Sequence, residues 1–184
     1  MIDNLQPSGS AYFITKPTAE PERHTLSVLV DNEPGILARI AGLFSARGFN
    51  IDSLTVSETE HEKGLSRITI VSVARPKVLK QIKLQLERVV AVHKVHDLTQ
   101  EGKSLERELA LVKVAGTGEN RVETLRLAEA FRAQVVDASI ESFVFEITGR
   151  PTKIEQFIAL MVPLGLVEVV RTGMAAISRG SDKM

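Results

Sequence analysis

The chain has 184 residues, of which 43% are hydrophobic and 25% are charged, a composition typical of a soluble globular protein. Its 23 basic and 23 acidic residues balance, and no basic stretch stands out, which argues against nucleic-acid binding. The lack of cysteine excludes a disulfide framework, a thiolate zinc site and a cysteine nucleophile.

The N-terminal segment carries no targeting pattern. Met1-Ile2-Asp3-Asn4 has an acidic residue where a signal peptide has Lys or Arg, and no stretch of the chain reaches the roughly 18 apolar residues of a membrane span. Residues 1–23 are rich in polar residues and proline, which predicts a flexible tail. We expect a cytoplasmic protein that contacts no membrane.

The first half of the chain alternates strand and helix patterns. From His24, apolar Leu26, Val28 and Val30 alternate with their neighbours, which predicts a strand with one buried face. The run Asp31-Asn32-Glu33-Pro34-Gly35 then ends the strand and announces a helix. Strands are predicted at 24–30, 50–57, 65–74 and 92–98, with a polar loop at 58–64 and helices at 36–47 and 76–89.

The second half repeats the same order after a short linker, predicted at 99–104. Strands are predicted at 105–115, 135–140, 143–148 and 166–170, and helices at 122–131 and 154–161. The expected organisation is therefore a tail at 1–23, a first domain at 24–98, a second domain at 105–173 and a C-terminal tail at 174–184.

Two βαββαβ units predict an α+β protein made of two tandem ferredoxin-like domains, each an antiparallel sheet with its helices on one face. A unit of about 70 residues buries only about 60% of its unfolded surface, so it is marginally stable alone. Its open sheet face and edges need cover. We therefore expect a homodimer.

Residues suited to catalysis are few. His93 and His96 are three apart on a predicted strand, so their side chains point to opposite faces and do not easily share one metal ion. Gly116-x-Gly118 lies between a strand and a helix, but Arg121 takes the third glycine position of a dinucleotide loop. We predict no catalytic residue and no metal site.

One corner of the chain is suited to bind an amino acid. The helix after Glu33-Pro34-Gly35 begins with backbone N–H groups that have no intrahelical acceptor, and these favour a carboxylate. Gly35 permits close approach, Asn32 supplies an amide, and Asn50 is expected on an adjoining strand within reach of the same corner. The pattern equally fits a plain helix start in which Asn32 is the cap.

A family resemblance favours the binding site. The segments Leu29-Val30-Asp31-Asn32-Glu33-Pro34-Gly35-Ile36-Leu37 and Gly42-Leu43-Phe44-Ser45-Ala46-Arg47-Gly48-Phe49-Asn50-Ile51-Asp52-Ser53-Leu54-Thr55-Val56 resemble an ACT domain, and in particular that of acetolactate synthase small regulatory subunits. Glu108 to Val114 and the ending Ile177-Ser178-Arg179-Gly180 resemble the same family. The leader before residue 23 is longer than expected there, and Pro34 varies in the family.

The resemblance implies a non-catalytic partner of a large subunit that holds thiamine diphosphate, Mg²⁺ and FAD and condenses pyruvate in valine, leucine and isoleucine biosynthesis. The small subunit is expected to bind none of these cofactors, to activate the large subunit and to confer feedback inhibition, usually by valine. The effector is expected where the ACT domains of two chains meet. The implied site residues are Asn32, Gly35, Ile36, Leu37, Asn50 and Ile51.

In that implied site Asn32 and Asn50 bind the amino acid, the N–H groups from Gly35 onward take its carboxylate, and Ile36, Leu37 and Ile51 form an apolar wall. A free-standing tandem-ACT amino-acid sensor or transcriptional regulator is the alternative. It is disfavoured because neither a helix-turn-helix spacing nor a basic patch is visible.

Overall fold

The computed structural model describes residues 20–100 and 104–181. Residues 1–19 of the predicted tail at 1–23, the linker residues 101–103 and the last three residues lie outside the described residues. The end of that predicted tail was wrong, because the first strand already begins at Glu22. The strands are β1 Glu22–Asp31, β2 Ser53–Glu60, β3 Leu65–Ala74, β4 Val92–Asp97, β5 Ser104–Ala115, β6 Gln134–Ala138, β7 Ser142–Gly149, β8 Leu166–Arg171 and β9 Ala175–Ser178. The α-helices are α1 Ile36–Ser45, α2 Pro76–Leu86, α3 Gly118–Ala130 and α4 Pro151–Met161.

The first sheet has the strand order β2-β3-β1-β4, and all its pairings are antiparallel. Helices α1 and α2 cover one face because their apolar residues recur at helical spacing. The core between sheet and helices is formed by Leu26, Val28, Val30, Ile36, Ile40, Phe44, Ile68, Ile70, Leu79, Ile82, Leu86, Ala91 and Val95.

The second sheet repeats this arrangement in the order β6-β7-β5-β8, which confirms the predicted pair of βαββαβ units. Its core lies under α3 and α4 and contains Ala110, Val112, Val114, Ala128, Phe143, Phe145, Ile147, Ile154, Phe157 and Met161. The ring of Phe145 contacts that of Phe157 nearly edge-on, at 6.1 Å between centroids.

The prediction that β1 is buried on one face only was wrong. Thr25 and Ser27, on the face away from the helices, are as fully buried as Val28. The second half of the chain covers Thr25, whose hydroxyl donates a 2.6 Å hydrogen bond to the Glu106 carboxylate on β5. A small apolar cluster of Val71, Leu98, Met174 and Ala176 lies on the same side of the molecule.

The prediction that residues 166–170 form the last strand was also wrong, because β9 occupies Ala175–Ser178 within the expected C-terminal tail. It pairs antiparallel with the first four residues of β5, Ser104–Arg107. Strand β5 is longer than its partners β7 and β8, so its beginning is free for another strand to pair. Because Ser104 already belongs to β5, the expected linker at 99–104 is shorter than predicted.

Strand and helix ends differ modestly from the predicted ones elsewhere. Strand β2 begins at Ser53 rather than residue 50, and the hairpin after it is a short 3₁₀ turn at His61–Lys63. Helix α3 begins at Gly118, so Gly116-Thr117-Gly118 leads directly into a helix with no side-chain cap. A second 3₁₀ turn, Val162–Leu164, follows α4 and ends at Gly165.

Candidate functional site

The corner between β1 and α1 is exposed and is held in place by backbone hydrogen bonds. The Asn32 N–H donates to the Gly64 carbonyl at 2.7 Å, and the Asp31 N–H donates to the Ala91 carbonyl at 2.9 Å. Gly35 is the residue before the helix and has φ 86°, in the left-handed region that glycine adopts without strain. These contacts fix where α1 begins.

The interpretation of Asn32 as the helix cap was wrong. Helix α1 is preceded by Gly35, and no side chain forms a capping hydrogen bond at its start. The Ile36 N–H bonds to the Glu33 carbonyl at 3.3 Å, whereas the N–H groups of Leu37 and Ala38 have no intrahelical acceptor. The beginning of α1 therefore presents two backbone donors and the positive end of the helix dipole to an anion.

The three predicted apolar residues differ in exposure. Ile36 is only 6% exposed and belongs to the core, so its side chain is not available as a ligand wall. Leu37 is 42% exposed beside the helix start, and Ile51 is partly buried against the core. Of the predicted wall, Leu37 is thus the residue that can offer apolar surface at this corner.

The expectation that Asn50 reaches the corner from an adjoining strand of the same chain was wrong. Strand β3 lies between β1 and β2, and Asn50 precedes β2 at the far end of the sheet. There its carbonyl accepts a 2.6 Å hydrogen bond from the Ser72 hydroxyl, and its amide donates to the Asp52 carboxylate. Along β3 from Leu65 to Ser72 the sheet rises roughly 23 Å, at about 3.3 Å per residue.

Polar and charged side chains around the corner pair with one another. The Arg39 guanidinium lies 3.1 Å from the Glu33 carboxylate, and the His93 ring lies 2.6 Å from the Asp31 carboxylate. Both pairs are largely exposed, so they contribute little to stability. Arg39 is therefore already paired with Glu33, and the backbone N–H groups at the start of α1 are the donors that can bind a carboxylate.

Two of the histidines pair with acidic side chains. His24 is buried and its Nδ1 lies 2.8 Å from the Asp97 carboxylate, while His93 pairs with Asp31. Within residues 20–100 and 104–181, no group of three or more His, Asp or Glu side chains is placed to hold a metal ion. In the same ranges, no helix is long and apolar enough to cross a membrane.

The junction between the two sheets was not predicted from the sequence. A cleft of about 400 Å³ lies there, between Ser53 and Leu54 of β2 and the segment Arg171–Met174. On its wall the Arg171 guanidinium forms hydrogen bonds of 2.8 and 2.6 Å with the buried Glu108 carboxylate, and this contact raises the pKa of Arg171. The apolar residues 174–177 after Gly173 are the sequence signal that could have indicated it.

Comparisons with known proteins agree over both halves. Residues 26–94 match the model of the AHAS small subunit-like ACT domain, and residues 107–180 match that of the small subunit of acetolactate synthase. The chain is 47% identical to a probable acetolactate synthase small subunit of Archaeoglobus fulgidus, over 88% of this chain and 99% of that protein. It is 45% identical to the acetolactate synthase small subunit of Mycolicibacterium smegmatis, over 85% and 91%.

A solved structure agrees as well. The crystal structure of the acetolactate synthase small subunit from Thermotoga maritima superposes with a TM-score of 0.79 at 40% identity, covering 88% of this chain and 99% of that one. The match includes both sheets rather than the ACT half alone. This chain belongs to the family of acetolactate synthase small subunits, which are regulatory subunits with an N-terminal ACT domain.

Proposed function

We propose that this chain activates the catalytic subunit of acetolactate synthase and makes it sensitive to feedback inhibition by valine or another branched-chain amino acid. The catalytic subunit, not this chain, is proposed to hold thiamine diphosphate, Mg²⁺ and FAD. Family membership supports the regulatory role. The observation that carries the effector site is the exposed start of α1, where Gly35 leaves two backbone donors open beside Leu37.

The proposed ligand contacts follow from this geometry. The N–H groups of Leu37 and Ala38 donate hydrogen bonds to the carboxylate, because helix starts favour anions. Exposed Asn32 supplies a side-chain oxygen for the ammonium group, and Leu37 contacts the branched side chain. Ile36 contributes only its backbone, since its side chain is in the core.

The site needs a second chain, because Asn50 is at the opposite end of the sheet from Asn32. Strand β2 pairs only with β3 among the described strands, so its outer edge is available to a partner. Two-fold symmetry is the commonest symmetry of homodimers, and a two-fold axis beside β2, perpendicular to the sheet, sets the β2 strands of two chains antiparallel. This arrangement places Asn50 and Ile51 of one chain at the same end of the joined sheet as Asn32 of the other. We therefore propose a homodimer through the ACT domains, with two effector sites.

Two measurements test the function. Isothermal titration of valine, leucine and isoleucine into the purified chain, with lysine as a control, should show binding at one site per chain that Asn32→Ala and Asn50→Ala each abolish. Reconstitution with the cognate catalytic subunit should raise acetolactate formation, and the binding amino acid should lower it. Inhibition that survives both substitutions contradicts the site, and an unchanged rate with the chain present contradicts the activating role.

A further inference from the structure

The turn between β8 and β9 is hydrogen bonded to the edge strand of the first sheet. The Thr55 hydroxyl donates to the Met174 carbonyl at 2.7 Å, and the Met174 N–H donates to the Ser53 hydroxyl at 2.9 Å. Both hydroxyl side chains come from β2, whereas Met174 directly precedes β9. We call these two hydrogen bonds the Met174 junction.

The approach of the two segments at this junction is so close that it requires a glycine. Gly173 has φ +81°, and a Cβ there would lie 2.8 Å from the Ser53 hydroxyl oxygen and 3.0 Å from a Thr55 methyl carbon. The Met174 side chain is 2% exposed and packs with Val71 of β3 in the small cluster between the sheets. The backbone of the turn is therefore held on the first sheet by both packing and hydrogen bonds.

The Met174 junction connects the chain segment that carries Asn50 and Ile51 with the second sheet. Ser53 follows Asn50 and Ile51 by a few residues on the same chain segment, at the beginning of β2. On the other side, the Thr172 N–H bonds to the Leu109 carbonyl of β5 at 3.0 Å, so the turn is also fixed to the second sheet. These hydrogen bonds link the beginning of β2 to the second sheet through Met174.

We propose that the Met174 junction couples effector binding to the second half of the chain, with Ser53 and Thr55 as positioning residues that do not touch the effector. This inference rests on the proposed function. An effector changes activity only if it favours one arrangement of the protein over another, and coupling between sites typically amounts to a factor of about 5 to 150. Breaking the junction should weaken that coupling while the effector site itself stays intact.

The first test separates binding from inhibition. The double variant Ser53→Ala/Thr55→Val removes both hydroxyls and keeps the size of each side chain nearly unchanged. We expect its dissociation constant for valine to stay within about threefold of that of the unsubstituted chain. Inhibition of the reconstituted enzyme at saturating valine should fall by half or more, because the coupling between the effector site and activity is weakened. The control is Ser57→Ala, on the same face of β2 but exposed and outside the junction, which should behave like the unsubstituted chain.

The second test uses the unsubstituted chain and does not depend on how a variant folds. Hydrogen exchange with and without saturating valine should show altered protection at Met174 and along β9, segments that contain no proposed effector contact. Unchanged exchange in this segment, or full inhibition by the double variant, overturns the coupling role. Failure of the proposed function has a different signature: the unsubstituted chain then binds no branched-chain amino acid, and the coupling proposal fails with it.

Discussion

Asn32 and Asn50, the two amides expected to hold one amino acid, are at opposite ends of the same sheet. Asn32 follows the end of β1 and bonds to Gly64, whereas Asn50 lies beside Ser72 at the other end of β3. Within one chain they do not meet. In a two-fold dimer through β2, the Asn50 of one chain and the Asn32 of the other lie at the same end of the joined sheet. Mixed dimers of two different variants test this arrangement directly.

Mixed dimers of Asn32→Ala and Asn50→Ala chains should recover one effector site of two. In such a dimer one site receives both substitutions and the other receives neither, because each site takes one residue from each chain. We expect each homodimer to bind no valine, and the purified mixed dimer to bind about one equivalent by isothermal titration, as in an isologous assembly. A mixed dimer without binding would indicate a site formed within one chain.

Gly35→Ala should destabilise the chain and weaken effector binding together. A Cβ at this position meets no atom within 4 Å, so the cost comes from the left-handed backbone, with φ +86°, and amounts to about 1–2 kcal/mol. The matched control is Gly42→Ala, inside α1 with equally open space, which should stabilise the chain by about 0.5–1 kcal/mol. Urea unfolding measures the free energy of unfolding of both variants. Equal effects at the two positions would contradict this account of the helix start.

Substitutions at two successive residues should separate folding from binding. Ile36→Ala removes a core side chain and should lower the free energy of unfolding by about 2–4 kcal/mol. Leu37→Ala should change that free energy by less than about 1 kcal/mol, yet weaken valine binding about threefold to tenfold through lost apolar contact. Unfolding and titration experiments on both variants provide the comparison. Unchanged valine affinity in Leu37→Ala would remove Leu37 from the site.

Arg171→Met should destabilise the second sheet, because it leaves the Glu108 carboxylate without its guanidinium partner. The Glu108 side chain is only 5% exposed, so we expect a loss of about 2–3 kcal/mol in the free energy of unfolding. The double variant Glu108→Gln/Arg171→Met should lose less than the two single variants together. As a control, Lys113→Met breaks the exposed pair with Glu168 and should cost little, although Lys113 lowers the pKa of Glu168. Additive losses would show that the pair is not coupled.

The elements of this protein were predictable because they depend on local periodicity. Strand β3 begins and ends where the alternation of apolar residues predicted, and α1 follows the spacing of Ile36, Ile40 and Phe44. Strand β9 was missed because its four residues, Ala-Ala-Ile-Ser, are too few to show a strand periodicity without the β5 segment that they pair with. Its pairing depends on a partner about 70 residues away in the chain, which periodicity does not report.

The sequence by itself determined two βαββαβ units, the glycine-led corner between β1 and α1 and, through resemblance, the family. Only the tertiary structure decided which side chains share a site, since strand order is a matter of long-range pairing. It put β3 between β1 and β2 and thereby separated Asn32 from Asn50. In the tertiary structure Ile36 is buried in the core and Leu37 is exposed. Neighbouring positions on a helix point in different directions, and only packing selects which of them is buried.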